Sequence, residues 1–189
     1  MKFSQDQLDA VDNICDELVN SNLNSHAIAV LTGSAGTGKT TVVREIINKI
    51  NTDSPLTNIE LCATTHRAAI VLENIARASV TTGHALFKLR PGVTKHGKEN
   101  LTYAGICEVP DGSVVIIDES SMIGNQFLKA IVDIVKERNL KLLFIGDPFQ
   151  LPPPSDTCSI FDGSLPTFIL TKVHRQLGGN PVLEKANEF

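Results

Sequence analysis

Between an apolar run, Ala27–Leu31, and a helical pattern over Thr40–Ile50 lies the octapeptide Gly33-Ser34-Ala35-Gly36-Thr37-Gly38-Lys39-Thr40. It fits G-x-x-x-x-G-K-[ST], and a strand before it with a helix after it leaves few folds open. Glycines let successive backbone N–H groups turn inward around an anion. The helix start adds partial positive charge. A lysine in this position reaches the β- and γ-phosphates of a nucleoside triphosphate, and the threonine hydroxyl can ligate Mg²⁺. Gly33 through Thr40 are therefore the expected cradle for ATP, with Thr40 a metal ligand.

The rest of the chain keeps the same rhythm. Ser4–Val19 has Leu8, Val11, Ile14, Cys15 and Leu18 at helical spacing, with Ser4 and Gln7 placed as a capping box. Ile59–Ala63, Val114–Ile117, Leu142–Ile145 and Phe168–Leu170 read as further buried strands, and Arg67–Ala78 and Gln126–Arg138 as helices. Alternating strands and helices imply a parallel sheet covered on both faces, an α/β fold. The rhythm breaks between Leu89 and Cys107, where Pro91-Gly92 and His96-Gly97 are turn signals. Val93–Lys95 and Asn100–Tyr103 are expected to pair there as a small hairpin.

Two more strand ends carry chemistry. Val114–Ile117 runs into Asp118-Glu119: Asp118 is the expected Mg²⁺ ligand, through water, and Glu119 the expected general base toward an attacking water. An ordinary strand ending in an acidic turn is the plainer alternative. Leu143–Ile145 runs into Gly146-Asp147-Pro148-Phe149-Gln150. In doubly wound sheets ligands gather at the carboxyl ends of strands, so Gln150 can sense a γ-phosphate or orient water; a plain β-turn is the alternative.

Taken in order, these segments resemble superfamily-1 helicases of the RecD-like and Dda-like branch, nearest to phage-type Dda helicases. Phe3–Gln7 resembles the Q motif, and Gly33–Thr41 motif I, which adds Thr41 to the nucleotide contacts. Ala63-Thr64-Thr65-His66-Arg67-Ala68-Ala69 resembles motif Ia, and Thr82-Gly83-His84 is similar to motif Ib, with Gly83 where an apolar residue is usual. Asp118–Met122 is similar to motif II, Gly146–Pro153 to motif III, and Leu170-Thr171 with His174-Arg175-Gln176 to motif IV. The resemblance implies a RecA-like P-loop ATPase domain over 1–88 and 108–189, interrupted by an insert over 89–107 that resembles domain 1B and its pin. It implies adenine contact for Gln7, an arginine finger in Arg175, and catalytic roles for Lys39, Glu119 and Gln150. It implies a track for single-stranded and fork DNA over Thr65, His66, Thr82 and His84, with Tyr103 as a stacking residue. Capping chemistry, a surface ion pair for Arg175 and an inert hairpin stand as the plainer alternatives.

The resemblance also implies 5′-to-3′ movement on single-stranded DNA and a second RecA-like domain with motifs V and VI. None of its motifs is found before Phe189, so the chain is expected to be part of a longer protein and, alone, not competent to unwind. A stand-alone oligomeric P-loop ATPase of the PhoH kind, and a nucleotide-binding module without turnover, are the competing readings. Net charge is −4, with a local +3 between His84 and Tyr103, which argues against a non-specific nucleic-acid coat. No apolar run approaches membrane-spanning length. Four cysteines without a C-x-x-C pair give no zinc or disulfide framework. A cytoplasmic monomer is the expectation.

Overall fold

Short apolar segments of the chain become one parallel sheet in the computed structural model, which describes residues 3–20, 27–93, 99–150, 153, 157–158 and 160–173. The strands are β1 (Ile28–Gly33), β2 (Ile59–Ala63), β3 (Val80–Thr82), β4 (Leu89–Val93), β5 (Glu99–Tyr103), β6 (Val114–Asp118), β7 (Lys141–Gly146) and β8 (Thr167–Leu170). Six of them form a sheet in the order β3-β2-β6-β7-β1-β8, each neighbouring pair parallel. β4 and β5 make a separate antiparallel ribbon. The helices are α1 (Gln5–Cys15), α2 (Lys39–Asp53), α3 (His66–Ala76), α4 (Gly83–Leu86) and α5 (Asn125–Glu137).

Alternation within each strand divides the core in two. Ala29, Leu31, Val114, Ile116, Leu143 and Ile145 face α1 and α2, packing on Ile14, Val42, Ile46 and Ile50. Val30, Val115, Ile117, Leu142 and Phe144 face the other way, onto Phe127, Ile131, Ile134 and Val135 of α5 and onto Phe87 and Leu89. A strand buried on both faces has no polar alternation to show, which is why these runs read as wholly apolar. Among the described residues, no helix is long and apolar enough to cross a membrane.

Several boundaries differ from the sequence expectation. The first helix is α-helical only to Cys15 and continues as a π-helical turn over Asp16–Asn20. β3, α4 and a 3₁₀ turn over Ser120–Met122 are additional elements. The hairpin begins earlier than expected: Leu89 pairs with Tyr103 and Val93 with Glu99, so Pro91-Gly92 lies inside β4 and not in a turn. A two-stranded ribbon leaves both outer edges to solvent, and a proline without an N–H is tolerated at such an edge. Residues 94–98, with the turn signal at His96-Gly97, fall outside the described residues.

The junction of β1 with the glycine-rich loop is tight. A Cβ on Gly33 would stand 2.6 Å from Thr37 Oγ1 and 2.9 Å from the Leu170 carbonyl of β8. Gly33→Ala should therefore overpack the junction and cost about 1–3 kcal/mol, seen as a melting temperature lower by roughly 2–4 °C per kcal/mol. An unchanged melting curve would contradict this reading of the contact.

Candidate functional site

Strand order decides which side chains meet. β7 lies between β1 and β6, with Thr32 beside Gly146 and Ile117 beside Phe144. The carboxyl ends of β1, β7 and β6 thus bring the glycine-rich loop, Asp147 and Asp118-Glu119 to one edge of the sheet. The loop bends through Gly36 and Gly38, both at φ 84°, and Gly38 is the N-cap of α2. Its open N-terminal turn leaves backbone donors without intrahelical partners. Thr37 is buried, and its hydroxyl donates to the Ser34 carbonyl at 2.9 Å. Lys39 Nζ turns back onto the loop, donating to the carbonyls of Gly33 (2.6 Å) and Ser34 (3.2 Å). Ser34, Ala35 and Gly36 are exposed, and Lys39, Thr40 and Thr41 are half-buried at the mouth. A cation folded onto carbonyls above a row of helix-start donors fits a polyphosphate.

The backbone around the carboxylates is held by Thr64, the residue that follows β2. Thr64 Oγ1 donates to the Glu119 carbonyl at 3.1 Å, and the Thr64 N–H to the Asp118 carbonyl at 3.3 Å. The Glu119 N–H donates to Asp118 Oδ1 at 2.9 Å. These bonds fix Glu119 at φ 55°, ψ 41°, a left-handed backbone unusual for a glutamate. Behind it, buried Ser120 donates from Oγ to the Ile117 carbonyl at 2.8 Å and accepts the Ile145 N–H at 3.3 Å. Sequence reading did not single out Thr64. Its signal is the register that sets Ala63 beside Asp118.

Burial pushes the Asp118 carboxyl above its ordinary range, opposed by the Glu119 N–H and by Lys39. Glu119 also lies above its ordinary value, first through burial and then through Asp118, with Lys39 opposing and Asp147 adding to the rise. Among the described residues, no group of three or more His, Cys, Asp or Glu side chains could hold a metal by itself. Mg²⁺ commonly takes one or two protein oxygens, with water and phosphate completing the shell. The Thr40 hydroxyl and the crowded, half-desolvated Asp118 suit that kind of site.

The raised Asp118 has a measurable consequence in the nucleotide-free protein. With the folded value above the ordinary 3.8, the protonated acid is the form the fold favours. That stability is present below the unfolded value and is lost as pH rises through the folded one. Asp118→Asn keeps an acceptor for the Glu119 N–H and cannot ionise. It should melt a few degrees above wild type near pH 7, the gap closing toward about pH 4. A variant that melts lower at every pH would contradict the assignment.

The remaining expected residues fall into place unevenly. Gln7 is buried, accepts the Ser4 N–H at 3.1 Å in the expected capping box, and donates from Nε2 to the Thr37 carbonyl at 3.0 Å. Its amide is thus tied to the phosphate loop, with one N–H left to give. On the neighbouring residue, Asp6 Oδ2 accepts the backbone N–H groups of Thr171 (3.2 Å) and Lys172 (3.3 Å), a contact that sequence reading missed. Gln150 is exposed on a turn in which Asp147 accepts from both the Phe149 and Gln150 N–H groups. Thr65 and Thr82 are N-caps of α3 and α4, accepting from the N–H groups of Ala68 and Ala85. They lie on adjacent strand ends, β2 and β3. His66 beside Thr65 is exposed. His84 stacks on Phe127 with ring centroids 4.1 Å apart, and burial lowers its pKa toward the neutral form. Tyr103 stands apart from this group. It borders a cleft with Ile134 and Arg138, toward the end of α5 that bonds back to Gly112 before β6. Arg175 falls outside the described residues.

Comparison with known proteins follows the same lines. The AAA domain family matches residues 2–188. The ATP-dependent RecD2 DNA helicase of Deinococcus radiodurans is 29% identical over 167 residues, covering 87% of this chain and 22% of that protein. The ATP-dependent DNA helicase dda of phage T4 is 33% identical over 126 residues, covering 65% of this chain and 27% of that protein. In fold, the crystal structure of Pif1 helicase from Candida albicans superposes on all of this chain and 44% of that one, with TM-score 0.66 at 21% identity. The chain spans 12–33% of the length of six curated relatives that it matches. With its parallel sheet, phosphate loop and Asp118-Glu119 strand end, the chain has a RecA-like P-loop fold, is similar to part of the RecD2, Pif1, Dda and RecD proteins, and belongs to the AAA domain family.

Proposed function

We propose that this domain binds and hydrolyses ATP with Mg²⁺ as the motor half of a DNA helicase that moves 5′ to 3′ on single-stranded DNA. The observation that carries the reading is the convergence of Lys39, Asp118 and Glu119 at the carboxyl ends of β1 and β6, flanking β7. Thr40 and Asp118 hold the metal, which supplies neutralisation of charge on the transferring phosphate. The loop N–H groups and Lys39 orient the phosphates. Glu119, whose proton affinity is raised by burial and then by its acidic neighbours, accepts a proton from the attacking water. Gln150 orients that water from the end of β7, and the free N–H of Gln7 reaches the adenine.

The arginine finger Arg175 and a second RecA-like domain close the site from outside. Thr65, His66, Thr82 and His84 form the DNA track on the β2 and β3 side, and the ribbon within 89–107 is the pin-bearing insert of the domain formed by 1–88 and 108–189. The protein acts as a cytoplasmic monomer.

The test is ATP hydrolysis by the helicase that carries this domain, measured without nucleic acid, with oligothymidylate and with oligouridylate, followed by strand separation on a 5′-tailed fork. Hydrolysis stimulated by the DNA strand and unwinding from the 5′ tail are expected. Stimulation by RNA alone, or none by either, would overturn the DNA assignment.

A further inference from the structure

We infer that the first turn of α1 is a two-armed tie, in which Asp6 is a positioning residue that holds the chain leaving β8 against the phosphate loop and passes loop occupancy on to it. One arm is Gln7, donating to the Thr37 carbonyl inside the loop. The other is Asp6, whose Oδ2 accepts the N–H groups of Thr171 and Lys172 and the Thr171 hydroxyl at 3.4 Å. An acidic residue in a first helical turn ordinarily serves its own helix end. This carboxylate instead reaches a segment 165 residues away in sequence. Because the arms leave adjacent residues of one turn, a shift of the loop at Thr37 pulls on Thr171 and Lys172.

The two anchored segments also lie against each other. A Cβ on Gly33 would stand 3.1 Å from Leu170 Cβ, and one on Gly36 would stand 3.4 Å from Val173 Cγ1. Asp6 Oδ1 is buried with no partner among the described residues, so the three contacts to Thr171 and Lys172 all fall on Oδ2. The Ser4 hydroxyl and the two backbone donors hold its pKa down to about 2. The tie is therefore charged above that value and lost only as pH falls through it. In sequence, the tied residues Thr171 and Lys172 precede His174 and Arg175. The transmission, unlike the tie itself, rests on the nucleotide reading proposed above.

Amide hydrogen exchange of the 189-residue chain, read by NMR with and without ADP and Mg²⁺, separates these parts. In wild type, Thr171 and Lys172 should be protected without nucleotide and more protected with it. In Asp6→Ala the two amides should exchange roughly tenfold faster or more, with the sheet core unchanged. ADP should still bind to this variant yet no longer alter the two amides. Asp6→Asn, whose carbonyl can still accept, should fall between, and serves if the alanine variant does not fold. Unchanged protection at Thr171 and Lys172 in the variants, or faster exchange throughout the sheet, would overturn the tie. An ADP response that survives in Asp6→Ala would overturn the transmission. If wild type binds no ADP, the nucleotide reading and the transmission fail together, and the nucleotide-free comparison still decides the tie.

Discussion

Glu119→Gln should leave nucleotide bound and slow its hydrolysis by about 10²–10⁴-fold, the range for loss of a general base. Glutamine is nearly the same size, and what holds residue 119 in place is main chain: the Thr64 hydroxyl on its carbonyl and Asp118 Oδ1 on its N–H. The substitution therefore removes proton affinity without moving the backbone. At the metal site proposed above, the charge stays with Asp118. Single-turnover ATP hydrolysis, paired with calorimetric ATP binding, checks both halves. Turnover within about twofold of wild type would remove Glu119 from the base position.

Lys39→Ala should weaken ATP binding by at least about 10²-fold and leave the fold intact. A charge-assisted hydrogen bond contributes about 1.5–3 kcal/mol, and one lysine reaching two phosphates loses about two of them. In the nucleotide-free protein Lys39 Nζ touches the carbonyls of Gly33 and Ser34 and no core side chain. The melting temperature should accordingly shift by no more than about 2 °C, on the scale for a protein of this size. Calorimetry on the purified domain decides it: equal ATP affinity in the two proteins would sink the phosphate-loop assignment.

The parts of the site that were legible in sequence are those carried by local pattern. The loop from Gly33 to Thr40 declares itself by glycine spacing after a buried strand, and Asp118-Glu119 by following four apolar residues. β2 was placed at its observed bounds because both its faces are covered and its residues are almost all apolar. β3 was not, since three residues reading Val80-Thr81-Thr82 carry too little pattern, and their pairing with β2 is a tertiary fact. The ribbon was shifted because Pro91-Gly92 has the chemistry of a turn while lying in an edge strand. Contacts between distant residues leave no local trace. Thr64 with Glu119, Gln7 with Thr37 and Asp6 with Thr171 are 55, 30 and 165 residues apart. For Thr65 and Thr82 the capping alternative is visible in the structure, and one hydroxyl can accept from its own helix while donating elsewhere.

The left-handed backbone at Glu119 also bears on how this position can drift. A glutamate there costs about 1–3 kcal/mol, so glycine, and to a smaller extent asparagine, would relax the turn and raise the melting temperature. Those are also the replacements that delete the long carboxylate. Random substitution followed by screening for thermal robustness alone would therefore enrich hydrolytically silent variants at residue 119. On the base role proposed for Glu119, the glutamate would be retained only where hydrolysis is itself under selection.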